Sequence, residues 1–91
     1  MKAIFLTLIG ITAIGTSSAD PIRVACVGDS ITFGAGIRDR QNQSYPAQLS
    51  KMLGESHLVK NFGNSGSTLL KKGDKPYWKQ REFAAAVAFE P

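Results

Sequence analysis

Short apolar runs separated by Gly- and Asn-rich punctuation organise most of this chain. The run Ile22-Arg23-Val24-Ala25-Cys26-Val27 is largely apolar at both odd and even positions and stops at Gly28. That pattern predicts a buried strand, parallel to its neighbour because neither face is polar. Residues 28–43 are rich in Gly, Asp, Asn and Gln and predict a loop, with one helical turn near Ile31-Thr32-Phe33. A helix is expected next. Ser44 is suited to its N-cap, Pro46 to its first turn, and Gly54 to its end. Tyr45, Leu49, Met52 and Leu53 fall at i, i+4, i+7 and i+8, which defines one apolar face.

Leu58-Val59-Lys60-Asn61-Phe62 predicts a second short strand that ends at Gly63. A Gly/Ser loop covers Gly63–Thr68, followed by a Thr-Leu-Leu-Lys-Lys turn and the aromatic segment Pro76-Tyr77-Trp78. A second helix is expected over Lys79–Phe89, with Phe83 and Val87 on one face and alanines supplying helix propensity. The order β-α-β-α implies an α/β fold with parallel strands and a right-handed crossover. Two parallel strands leave one edge of each unpaired, whereas stable sheets generally have three or more. The expectation is therefore that residues 20–91 form the N-terminal, incomplete part of a larger α/β domain.

Upstream of this, Lys2 precedes the apolar run Ala3–Ile14, and Gly15-Thr16-Ser17-Ser18-Ala19 follows it. A positive start, a short apolar centre and a small-x-small end have the form of a secretory signal cleaved after Ala19. The run is shorter than the ~20 residues that span a bilayer. The expected mature protein is secreted or periplasmic, with no membrane association once the signal is removed. The single cysteine, Cys26, lies inside the first strand and is expected to be a buried strand residue rather than a reactive thiol.

Composition adds mainly exclusions. The 91 residues carry a formal charge of +4 and are 43% hydrophobic. The basic residues are scattered, Lys71-Lys72 being the one adjacent pair, and no basic stripe interleaved with aromatics supports nucleic-acid binding. No residue cluster has metal-ligand spacing, and no cofactor is implied.

The chemistry concentrates where an open parallel sheet binds ligands, beyond the carboxyl ends of its strands. Gly28-Asp29-Ser30-Ile31-Thr32 follows the first strand and Asn61-Phe62-Gly63-Asn64-Ser65-Gly66-Ser67-Thr68 the second. A serine directly after a strand, at the start of a helical turn, presents its hydroxyl and its backbone N–H to the same space. Gly66, lacking a side chain, lets a second N–H approach a bound group closely. One hydroxyl and two convergent N–H donors are the minimum for acyl transfer: a nucleophile and part of an oxyanion hole. Either loop alone would equally serve as an ordinary turn.

Val27-Gly28-Asp29-Ser30-Ile31-Thr32-Phe33-Gly34 resembles the first sequence block of the GDSL, or SGNH, hydrolases. Asn61-Phe62-Gly63-Asn64-Ser65-Gly66-Ser67-Thr68-Leu69 resembles their second, and Tyr45-Pro46-x-x-Leu49 and Leu53-Gly54 between them are also similar. The resemblance extends over residues 22–91 and implies a three-layer, flavodoxin-like parallel-sheet fold. It further implies that Ser30 is the nucleophile, that the Ser30 and Gly66 N–H groups are oxyanion donors, and that Asp29 and Asn61 support the two loops. The family's Gly-x-Asn-Asp block, with a third donor, and its late Asp-x-x-His block, with the general base, have no counterpart in this sequence. By that reading the 91 residues alone are inactive. Gly73-Asp74-Lys75-Pro76-Tyr77-Trp78 is similar to a segment of exported family members grouped with carbohydrate acetylesterases. The implied substrate is a small-molecule or glycan ester, with O-acetyl groups on carbohydrate preferred.

Four other residues invite a functional reading and have plainer ones. His57 is expected in a solvated loop at the opposite end of the sheet, Asp74 as a helix N-cap, and Tyr77 and Trp78 as core anchors. Two rival functions remain: a flavodoxin-like phosphate or flavin binder, and a non-catalytic glycan-binding or interaction fragment. Against the first, Phe33 stands where such a phosphate loop needs glycine. Asp39 breaks a Rossmann Gly-x-Gly-x-x-Gly pattern, and no Gly-Lys-Ser/Thr follows any glycine loop.

Overall fold

The computed structural model describes residues 20–91. The expected signal segment, Met1–Ala19, lies outside the described residues. The remainder is a small α/β unit built on a two-stranded parallel sheet, as the apolar pattern predicts. Strand β1 (Ile22–Gly28) pairs with β2 (His57–Gly63) from Ile22 opposite His57 to Gly28 opposite Gly63. Both strands thus end level with each other, and the two chemistry-bearing loops leave from adjacent positions.

Three helices separate the strands: α1 (Ser30–Phe33), α2 (Arg40–Gln43) and α3 (Tyr45–Leu53). A 3-10 turn, Gly54–Ser56, leads into β2. After β2 come an irregular loop, a second 3-10 turn at Tyr77–Lys79, and α4 (Arg81–Ala88). Period-two alternation along β2 distributes its side chains to two layers. Val59 and Asn61 line a surface shared with α2 and α3, whereas Lys60 and Phe62 lie beside Ala85, Ala88 and Phe89. Helices therefore stand on both faces of the sheet, the α/β/α layering that the resemblance implies.

Several details differ from the expectation. The loop over residues 28–43 contains the additional one-turn helix α2, whose polar sequence Arg-Gln-Asn-Gln carries no apolar period. The last helix starts at Arg81 rather than Lys79, because Tyr77–Lys79 form a 3-10 turn and Gln80 is extended. Asp74 caps nothing: Pro76 precedes the 3-10 turn and Gln80 precedes α4. Ser44 does occupy the N-cap position of α3, but its hydroxyl makes no capping bond. On α3, Met52 remains 76% exposed, so the apolar face is narrower than its spacing suggests. The second strand begins one residue early, which makes His57 a strand residue rather than a loop residue.

The core is thin. Cys26, Tyr77 and Ala86 are its buried apolar members among the described residues. Burial pushes the Cys26 thiol up, against a smaller opposing effect of a hydrogen bond with Tyr45, so the group stays protonated at neutral pH. On the α4 side, Val27, Leu69, Trp78, Phe83 and Val87 border an open apolar groove of about 470 Å³. Phe83 and Val87, which share one face of α4, are both exposed there.

Candidate active site

The two loops at the strand ends are locked to one another by main-chain and side-chain hydrogen bonds. Asn64 N–H donates to the Gly28 carbonyl at 2.9 Å, extending the sheet pairing one step into the loops. The carboxamide of Asn61 reaches across to α1: Nδ2 donates to the Thr32 carbonyl at 2.8 Å and to the Phe33 carbonyl at 3.4 Å. Its Oδ1 accepts from the Gly63 N–H at 2.8 Å. One side chain thus satisfies carbonyls at the end of α1, which have no intrahelical donors, and fixes the start of the second loop. Gly63 completes the fit. A Cβ there would lie 2.7 Å from the Phe33 Cα, so only glycine lets β2 pass this close to α1.

Ser30 is the first residue of α1 and is half-buried. At that position its N–H has no intrahelical acceptor and remains available to a ligand. Asp29 is exposed and caps the turn, its Oδ1 accepting from the Ile31 N–H at 3.0 Å. Thr32, buried, shares a 3.0 Å hydrogen bond with the Tyr45 hydroxyl, which ties α1 to α3. Arg40 adds a clamp from α2. Its guanidinium lies 3.6 Å over the Phe33 ring, and its Nε donates to the Phe33 carbonyl.

In the second loop, Ser67 N–H donates to the Asn64 carbonyl at 3.2 Å, closing a four-residue turn. Gly66 is third in that turn with φ +87°, whereas Ser65 has a negative φ. This is the type II geometry, which requires glycine or asparagine at the third position. Ser67 Oγ donates to the same Asn64 carbonyl at 2.8 Å. The Asn64 side chain is held in turn by Glu82 of α4, with Nδ2 donating to Oε1 at 2.8 Å. Burial raises the Glu82 carboxyl, but hydrogen bonds from its own backbone and Asn64, with the neighbouring Arg81, outweigh it and hold the group below its ordinary range.

Tyr77 secures the base of the loop. It is buried, and its hydroxyl donates to the Phe62 carbonyl at 2.6 Å. Burial and, secondarily, the Glu82 charge push this phenol up, so it stays a donor. Its ring meets Phe83 edge-on at 6.2 Å. Tyr77 is therefore a core anchor. Trp78 is 46% exposed and borders the apolar groove.

Between the loops lies a cleft of about 330 Å³, lined by Gly28, Asp29, Ser67, Thr68, Leu69 and Tyr77 together with Val27. Its walls come from Asp29 and Ser67, the chain neighbours of Ser30 and Gly66, rather than from Ser30 and Gly66 themselves. Asp29 and Ser30 directly follow β1, Asn61 lies two residues before the end of β2, and Gly66 is in the loop that follows β2. His57 instead pairs with Ile22 at the start of β2, ~20 Å of strand from Gly63, and its Nδ1 shares a 2.8 Å hydrogen bond with Ser56 Oγ. Asp74 likewise makes no contact with the strand ends through a cap. Arg40, Tyr45, Asn64 and Glu82 are the supports that sequence reading missed. Of these, Tyr45 and Asn64 stand in segments that the sequence marks, Tyr45 on the apolar face of α3 and Asn64 inside the second loop, whereas Arg40 and Glu82 carry no such signal.

Comparison with known proteins adds one relationship. The chain is 53% identical over 72 residues to an acetylxylan esterase from Xylanibacter ruminicola. The aligned region takes in 79% of this chain but spans only 15% of that esterase. No protein-family model matches the chain, and no solved structure matches it.

Proposed function

We propose that this chain carries the nucleophile and part of the oxyanion hole of a serine esterase of the GDSL type, acting on O-acetyl groups of a carbohydrate. The observation that carries the reading is the Asn61 carboxamide, which couples the Ser30 turn to the Gly63–Ser67 loop through three hydrogen bonds. Such coupling is what a preorganised site needs: a nucleophile and its donors held on separate loops but fixed to each other. The 53% identity to an acetylxylan esterase supports carbohydrate ester as the substrate class.

In this reading Ser30 Oγ attacks the ester carbonyl carbon while a general base takes the hydroxyl proton. The carbonyl oxygen gains negative charge and is stabilised by the Ser30 and Gly66 N–H groups. Collapse of the tetrahedral species expels the sugar hydroxyl, protonated by the conjugate acid of that base, and leaves an acetyl-serine. Water, deprotonated by the same base, then releases acetate and restores Ser30. His57 is ~20 Å from the strand ends and does not serve as that base. The reading calls for a histidine supplied from elsewhere in the whole protein. Asp29 and Asn61 act as positioning residues, through the α1 cap and the loop coupling.

The test is covalent labelling of the whole protein with a fluorophosphonate. The reading predicts stoichiometric modification of Ser30, absent in Ser30→Ala, and a loss of acetyl-ester hydrolysis of about 10⁴-fold or more in that variant. A folded whole protein that is not labelled would instead be a binding module.

A further inference from the structure

Lys75 is a lysine of the second loop that the catalytic reading leaves unused. Its Nζ donates to the Ser65 carbonyl at 2.7 Å. That carbonyl belongs to the same peptide group as the Gly66 N–H. The described residues contain no cis peptide bond, so the carbonyl and the N–H point in opposite directions across the shared bond. Holding the oxygen therefore fixes the direction of the hydrogen.

The turn makes this hold consequential. Types I and II differ mainly by a flip of the central peptide, here Ser65–Gly66. Glycine at the third position adopts either state with little cost, so Gly66 alone does not commit the N–H to one direction. Lys75 favours the observed state by pairing its charge with the oxygen. A cation on a carbonyl also polarises the amide, strengthening the donor at its far end.

The side chain is free to do this because the backbone holds the segment independently. Thr68 N–H donates to the Lys75 carbonyl at 2.9 Å, and Tyr77 N–H donates to the Thr68 carbonyl at 2.7 Å. The Lys75 stem runs beside Gly66, with its Cδ 3.7 Å from where a Cβ would stand. Removing the ammonium thus leaves the loop closed and releases only the peptide.

We infer that Lys75 is a positioning residue, which orients and polarises the Gly66 N–H as an oxyanion donor. This rests on the esterase reading above. In the whole protein, Lys75→Met is expected to lower kcat for p-nitrophenyl acetate about tenfold. That is well short of the roughly 100- to 1,000-fold cost of deleting an oxyanion donor outright. KM and Tm are expected to stay at parent values. Lys75→Arg, which restores a cationic donor, should recover most of the activity, and the fluorophosphonate labelling rate should follow kcat across the variants. A Lys75→Met kcat within twofold of the parent would overturn the inference. So would a loss expressed in KM, or one that Lys75→Arg fails to recover. Labelling that persists in Ser30→Ala would sink the esterase reading itself, a result distinct from any of these.

Discussion

The corner at the strand ends and the face beneath α4 are built on opposite terms. At the corner, backbone groups that the loops leave unpaired are met by side chains: Asn61 serves Thr32, Phe33 and Gly63, Asp29 serves Ile31, and Arg40 serves Phe33. Beneath α4, Val27, Trp78, Phe83 and Val87 surround an open apolar groove and are each at least 41% exposed. The site is thus nearly complete in its polar contacts within some forty residues, while the apolar packing around it is not. A few directed hydrogen bonds, the Asn61 pair spanning 29 and 28 residues of sequence, are enough to fix two loops to one another. Burial requires area, which two strands and a few short helices do not supply.

Breaking the corner should cost most. Asn61→Ala removes all three bonds of the carboxamide and leaves partly buried carbonyl and N–H groups unpaired. The expected destabilisation of the whole protein is about 2–3 kcal/mol by denaturant unfolding, with a larger proportional loss of labelling at Ser30. A variant as stable and as reactive as the parent would mean that the loops are held by the Asn64–Gly28 backbone bond alone.

On the apolar side, Tyr77→Phe keeps the edge-on contact with Phe83 and removes only the 2.6 Å bond to the Phe62 carbonyl. A loss of about 1 kcal/mol is expected, with labelling unchanged. An equal loss of labelling would show that this anchor, and not the polar corner, sets the loop.

The smallest effect concerns the link between the two regions, the Asn64–Glu82 bond. The folded state holds Glu82 below its ordinary range. Its contribution to stability is therefore complete above that range and is lost as pH falls through the lowered value. Glu82→Gln keeps an acceptor for Asn64 but removes the charge. Its Tm should fall less steeply than the parent's on acidification below about pH 4.5. Parallel acid limbs would show that Glu82 is not titrating against the fold.

Much of this was readable from residue pattern. The β-branched run at 22–27 and the apolar run at 58–62 announced the strands, and glycines marked their ends. Ser44, Pro46 and Gly54 bounded α3 correctly, although Ser44 makes no capping bond, because the fixed φ of Pro46 and the positive φ open to Gly54 are local backbone preferences. The α2 turn was not legible, since Arg40–Gln43 has no apolar period and its anchor, the Phe33 carbonyl, lies seven residues back. Asp74 misled because an acidic residue before an aromatic segment resembles a cap, while Pro76 and the 3-10 turn delay the helix to Arg81. The Gly-Asp-Ser and Asn-x-Gly-x-Ser-Gly segments marked the corner itself. Lys75 and Glu82 gave no comparable signal: their partners, Ser65 and Asn64, are ten and eighteen residues away, and charged residues on loops and helix starts are ordinarily solvated.

The central claim is that Ser30 and Gly66 serve one oxyanion, and the structure of a phosphonylated whole enzyme tests it most directly. The account predicts phosphorus bonded to Ser30 Oγ, with one phosphonyl oxygen about 2.7–3.1 Å from both the Ser30 and Gly66 nitrogens. An adduct on Ser30 whose oxygens reach neither amide, or an adduct on another residue, would contradict it.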